Sequence, residues 1–190
     1  MSDFNAGISI PNPGLLLHCC CAPCAGSVIE RLLPEYRITL LFFNPNIRPS
    51  EEFDRRAAGM RQLISAAAYG DGVELIICGH DAGLFDSVAL RYPEEPEGGE
   101  RCRACFELRL ERAALLARDG GYDCFTTTLS VSPYKNAAEL NSIGDRLGQR
   151  HGVRFLRSDF KKHDGYKRSV ELSKQYGLYR QSYCGCRENT

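Results

Sequence analysis

The chain has 190 residues, 43% of them hydrophobic, enough to bury one core without covalent staples, and a formal net charge of zero gives no global electrostatic sign of a nucleic-acid partner. Ten cysteines are far above ordinary usage and point either to a disulfide framework or to metal and redox chemistry. The first residues carry no basic n-region, and the apolar run Leu15–Leu17 is too short for a signal segment or a membrane span, so the expected compartment is the cytoplasm, where thiols stay reduced and the second option holds.

Residues 1–13 are expected to be a flexible N-terminus. Leu15–His18, Ile38–Phe43, Val73–Cys78, Asp123–Thr128 and Val153–Leu156 then read as short apolar strands. Between and after them come amphipathic helical stretches at Cys24–Leu33, Ser50–Ala68, Arg103–Arg118, Ala137–Gln149 and Gly165–Tyr176. Strands alternating with helices predict a single α/β domain over 1–190, with a mostly parallel sheet of about five strands flanked by helices. Such sheets bind ligands beyond the carboxyl ends of their strands, so a metal site is expected there. Arg91–Gly99, with its prolines, glycines and glutamates, reads as a loop. Charge is unevenly spread: residues 71–123 hold twelve Asp/Glu against six Lys/Arg, and residues 151–190 hold nine Lys/Arg against four Asp/Glu. The basic end can meet phosphates or can simply be a solvated helix face.

Three cysteine groups carry the chemistry. His18-Cys19-Cys20-Cys21-Ala22-Pro23-Cys24 follows the first strand and opens the first helix, where backbone N–H groups and the helix dipole favour thiolates. Cys102-Arg103-Ala104-Cys105 is a C-x-x-C at a helix start, a spacing that lets two sulfurs face one metal in zinc and iron–sulfur sites alike. Cys184-Gly185-Cys186 is a C-x-C too tight for an easy disulfide, so a bond closed there is strained and readily reduced, as in a redox-active pair. Cys78 and Cys124 end and begin apolar strands and are expected in the core; Cys19 is left open, because strand alternation can turn only some of three consecutive sulfurs toward the site. A cubane consumes four thiols, which leaves others for a second centre.

The chain resembles the cobalamin-independent epoxyqueuosine reductases of the QueH type. The resemblance rests on LLLHCCCAPC, FFNPNIRPSEEF, EGGERCRACFELRL, FTTTLSVSPYKN, SDFKKHDGYKRS and LYRQSYCGC, six blocks in order from Leu15 to Cys186. It implies a Rossmann-like, nucleotide alpha-hydrolase-like fold and the reduction of epoxyqueuosine to queuosine at the wobble position of a tRNA, with electrons from an unidentified donor. It also implies a [4Fe–4S] cluster on Cys20, Cys21, Cys102 and Cys105, a redox or second-metal role for Cys184 and Cys186, and Cys24 as a ligand of a second metal ion, iron or zinc. The C-terminal segment 178–190 is then expected to fold back onto the active site.

Membership of these motifs makes Asp159, Lys161 or Tyr134 a candidate proton donor, with Asp159 taken as the catalytic acid. Lys161, Lys162, Lys167, Arg168 and Arg180 are the expected phosphate contacts, with Tyr134 or Tyr183 stacking on a loop base. Asn44, Asn46 and Arg55–Arg56 either line the cleft or build a turn. Two rival readings remain open from sequence: a zinc-stabilised tRNA-modifying or nucleotide-binding protein without redox activity, and a cluster-free thiol–disulfide oxidoreductase.

Overall fold

The computed structural model describes residues 12–67, 69 and 72–186. Most of the expected flexible N-terminus and the last four residues of the C-terminal segment lie outside the described residues, as does position 68 of the second expected helix.

The first strand, β1 (Gly14–His18), is buried at every position, as a strand covered on both faces must be. Its odd residues Leu15 and Leu17 pack into one apolar cluster and Leu16 into the other. After α1 (Ala22–Leu32) comes β2 (Arg37–Phe42), which repeats the alternation with Ile38, Leu40 and Phe42 on one face and Leu41 on the other. The chain continues through α2 (Ser50–Ala66), β3 (Val73–Ile77), α3 (Ala82–Arg91) and α4 (Glu100–Asp119). Then follow β4 (Cys124–Thr127), a 3-10 turn (Thr128–Val131), α5 (Ala137–His151), β5 (Arg154–Phe155) and α6 (Gly165–Gln175).

The five strands pair in parallel in the order β3-β2-β1-β4-β5, the doubly wound arrangement. Apolar residues of α1 and α2 fill one face, with α6 packed on α1; α4 and α5 fill the other. The order of the sheet reverses between β1 and β4. The crevice at their carboxyl ends is where such folds receive ligands.

The expected architecture is therefore present, with local differences. The helix α3 stands in a stretch to which no element was assigned from sequence; it buries only Phe85, so no apolar stripe marks it. The first helix begins two residues earlier than expected, with Cys21 at its N-cap and Pro23 in its first turn, where a missing N–H costs nothing. The helix α4 begins at Glu100 rather than Arg103, so that Cys102 joins Cys105 in its opening turns. The helix α5 keeps its expected start because the Asn136 side chain accepts hydrogen bonds from the N–H groups of Ala138 and Glu139, and it ends at Gly152 in the left-handed region.

Candidate thiol and metal site

The alternation of β1 decides the fate of the three consecutive cysteines. Cys19 continues the odd face, is fully buried in the core beside α1, and lies 3.3 Å from the Leu17 carbonyl. Cys20 falls on the other face and packs against the apolar cluster that contains Cys102. Cys21, turning into α1, and Cys24, one turn on, complete a group: the sulfurs of Cys20, Cys21 and Cys24 all lie within 4.8 Å of one another. Among the described residues this is the one such trio of metal-ligating side chains. The geometry suits a soft metal, since all three donors are sulfur.

The second group sits on α4. Cys102 accepts a hydrogen bond from the Gly98 N–H at 3.2 Å, and burial pushes the Cys105 thiol up to about 11 against the opposing pull of Arg109. Cys105 is raised by the charge of Cys184 and in turn raises Cys186, so the second and third groups are electrostatic neighbours. All ten cysteines are free thiols.

The third group is held by α2. Arg56 donates from Nη1 to the Cys184 carbonyl at 2.9 Å and from Nη2 to the Tyr183 carbonyl at 3.1 Å, and the Arg48 N–H donates to the Gly185 carbonyl at 2.8 Å. Gly185 has φ +112°, and a Cβ there would lie 3.1 Å from Ile47 Cγ1 and 3.3 Å from Arg56 Nη1. Only glycine meets both demands.

These elements enclose a cavity of about 280 Å³ at the β1–β4 switch point. Cys20, Cys24 and Cys184 bring sulfur to its wall, and Arg109 and Lys135 bring positive charge. Burial opposes charge on both cations, but the neighbouring thiols raise their pKa values: Cys105, Cys184 and Cys20 for Arg109, and Cys184 and Cys20 for Lys135. The converse holds at the sulfurs. Hydrogen bonds from Cys21 and Cys24 hold Cys20 well below the ordinary thiol range, with Lys135 and Arg109 adding to the effect, while Cys21 is pushed up to about 12 and Cys24 upward. A hydrogen bond from Cys186 lowers Cys184 to about 5, again aided by Lys135 and Arg109, and Cys186 rises in return. The cavity thus concentrates thiolate character at Cys20 and Cys184 beside two cations.

Arg109 is 1% exposed. It donates from Nε to the Cys105 carbonyl and from Nη1 to Asn44 Oδ1, while its buried Nη2 has no hydrogen-bond partner among the described residues. Such a donor is positioned for an acceptor arriving in the cavity. Asn44 is buried, lines the cavity and donates to the Cys19 carbonyl, so it serves the cleft and the turn together.

The remaining expected residues are placed as follows. Tyr134 is 82% exposed on the cavity wall, and Arg180 also lines it, donating to the Ser169 carbonyl and Ser173 Oγ with its guanidinium over the Tyr166 ring. Asp159 is not among the lining residues; it pairs with Lys161 and, more loosely, with Lys162. Lys161 also donates to the Lys135 carbonyl. Lys162 and Lys167 are exposed, and Arg168 is held by both carboxylate oxygens of Glu30 and by Glu171. Arg109 and Lys135 were not singled out from sequence. The signal for Arg109 was its position one turn after Cys105; Lys135, next to Tyr134, had none beyond membership of the same block.

Comparison with known proteins adds a family. Residues 15–188 match the family model described as Epoxyqueuosine reductase QueH. Proteins named epoxyqueuosine reductase QueH from Staphylococcus epidermidis and Streptococcus pyogenes are 42% and 40% identical to this chain, each over 92% of it and over 75% and 69% of their own lengths. The protein of that name from Dehalococcoides mccartyi is 34% identical over 92% of this chain and 91% of its own length.

Proposed function

The chain belongs to the epoxyqueuosine reductase QueH family, and from that premise we propose that it is an oxidoreductase that removes the epoxide oxygen of epoxyqueuosine in the anticodon loop of a tRNA, leaving queuosine. The reaction consumes two electrons and two protons, and the oxygen departs as water. No ordinary side chain supplies the electrons, which come from a donor outside the chain. The observation that carries the reading is the convergence of three sulfurs within 4.8 Å, two of them from residues in the wall of a cavity also lined by Cys184, Arg109 and Lys135.

The donor set fits a [4Fe–4S] cluster. Cys20 and Cys21 of the sulfur trio, with Cys102 and Cys105 of α4, would hold it, Cys24 would be left for a second iron or zinc ion, and the unpartnered Nη2 of Arg109 would be available as a donor to the bound group. When bound, such a cluster relays single electrons. The residues of the chain do the rest. Cys184 presents a thiolate to the cavity and Cys186 its proton, a pair able to hold two electrons as the dithiol and to release them on closing to a disulfide. Lys135 brings an ammonium to the cavity wall beside these thiolates and gives a proton to the departing oxygen. Asp159 supports that arrangement from behind: it holds Lys161, which in turn grips the Lys135 carbonyl. Tyr134 offers a ring for a splayed base, while Lys162, Lys167 and Arg180 meet phosphates. No described helix is long and apolar enough to cross a membrane, and the reaction is proposed to run in the cytoplasm, where tRNA is found.

Anaerobically purified protein is expected to be brown, to absorb broadly near ~400 nm and to hold about four irons per chain. Colourless protein with a single zinc would remove the cluster from the reading. In cells lacking the gene, tRNA nucleoside analysis should show epoxyqueuosine, converted to queuosine by the parent gene and not by Cys184→Ser. Full queuosine without the gene would overturn the activity.

A further inference from the structure

Cys184 of the C-terminal C-x-C reaches the cavity only because the last described segment is folded back along α2. That helix presents one face to it. Gln62 donates to the carbonyls of Tyr176 and Gly177, Glu52 accepts from the Tyr179 hydroxyl at 3.1 Å, and Arg55 lies over the Tyr179 ring. Arg56 then donates to the carbonyls of Tyr183 and Cys184 and lies over the Tyr183 ring. Both Glu52 and Arg56 are buried, at 5% and 3% exposure, and are joined at 2.7 Å. A buried ion pair is a costly element of a fold unless both partners are fully engaged. Here, among the described residues, every other side-chain hydrogen bond of the pair goes to the strap: the Tyr179 hydroxyl on Glu52 and the Tyr183 and Cys184 carbonyls on Arg56.

We propose that Glu52 and Arg56 form a clamp that docks the strap Leu178–Cys186, so that Arg56 is the positioning residue for the redox pair Cys184 and Cys186. The clamp fixes two consecutive carbonyls, those of Tyr183 and Cys184, which orients the Cys184 side chain toward Cys20, Arg109 and Lys135. Gly185 completes the device: its positive φ and the closeness of Ile47 and Arg56 let the chain turn between the two thiols against the α2 side of the cavity. Because Arg180, Tyr183 and Cys184 line the cavity, releasing the strap removes part of its wall as well as one of its sulfurs. The inference rests on the reductase reading only for its effect on turnover; docking itself is independent of the substrate.

The experiment compares the full chain with Arg56→Ala, Arg56→Lys and Gly185→Ala. Trypsin cleavage after Arg180 reports local opening of the strap, and cleavage after the buried Arg109 reports unfolding of the whole. In Arg56→Ala and Gly185→Ala, cleavage after Arg180 is expected to be at least about tenfold faster, given two lost charge-assisted hydrogen bonds or a steric conflict in the turn, with the Arg109 site unchanged. Arg56→Lys, which keeps the charge and one carbonyl contact, should fall between. On tRNA carrying epoxyqueuosine, kcat should fall in the same order as cleavage rises. An unchanged rate after Arg180 overturns the clamp, and a released strap with undiminished kcat overturns its role in positioning. If Arg56→Ala opens both tryptic sites together, Gly185→Ala decides by the same criteria, since it removes no buried group. Parent protein without reductase activity would sink the functional reading and leave the tryptic result to judge the clamp.

Discussion

At the scale of single residues, the site depends on groups whose protonation is set by burial. His18 ends β1 with no exposure; the Phe43 carbonyl can only accept, so Nε2 carries the proton and donates to it at 3.1 Å, and Nδ1 accepts from the Thr127 hydroxyl at 2.9 Å. Burial, with Arg109 nearby, lowers its pKa from 6.5 to about 4. The unfolded chain therefore takes up a proton as the pH falls through 6.5 and the folded chain does so only near 4. Stability is complete above that window and is lost as the pH falls within it, by about 2 kcal/mol between about pH 7.5 and pH 5. Urea unfolding of metal-free protein at the two pH values checks this: His18→Gln should lose less than the parent by that amount, and equal losses would exclude His18 as the cause. His18 was legible in the sequence as part of the cysteine motif. Its neutrality was not, because that follows from burial under other elements and from Arg109, which arrives from α4.

At the scale of elements, close approach of α5 to the short edge strand β5 depends on small residues. A Cβ at Gly144 would come within 2.5 Å of the Phe155 ring, and that ring is itself held edge-on against Phe125 with centroids 5.1 Å apart. Alanine in a helix is worth about 1 kcal/mol over glycine, whereas overpacking a fixed ring costs about 1–3 kcal/mol. Gly144→Ala is therefore expected to destabilise by about 1 kcal/mol net, read as a lower urea midpoint with unchanged slope; a higher midpoint would mean that the ring can yield. Periodicity in the sequence located α5 because that signal is local, while its Asn136 cap emerged only in the structure. The same reasoning passed over α3, whose single buried anchor, Phe85, makes no stripe, and it placed the start of α4 three residues late because Gly99 and Glu100 carry no apolar pattern.

At the scale of the whole molecule, charge is arranged around the cavity rather than summed over the chain. Of the expected phosphate contacts, Lys162 and Lys167 are exposed, Arg168 is engaged by Glu30 and Glu171, and Lys161 by Asp159 and the Lys135 carbonyl. Binding of tRNA should therefore lose salt dependence chiefly through the first two. Lys162→Ala with Lys167→Ala is expected to reduce the slope of log affinity against log salt by about 1.5, on the basis of about 0.7–0.9 per phosphate contact. Lys161→Ala alone should change it much less, and an unchanged slope in the double variant would move the interface elsewhere. By itself, the sequence determined the chemistry available to this protein: parallel α/β order, three thiol groups at helix starts and chain end, and six motif blocks. Those are local patterns, and local spacing encodes them. Only the tertiary structure decided which sulfurs meet, because the alternation of β1 sends Cys19 into the core and Cys20 to the cavity. It also decided which cations face them, because Arg109 and Lys135 are brought together at the switch point by packing between segments far apart in the chain, a relation that no spacing within either segment records.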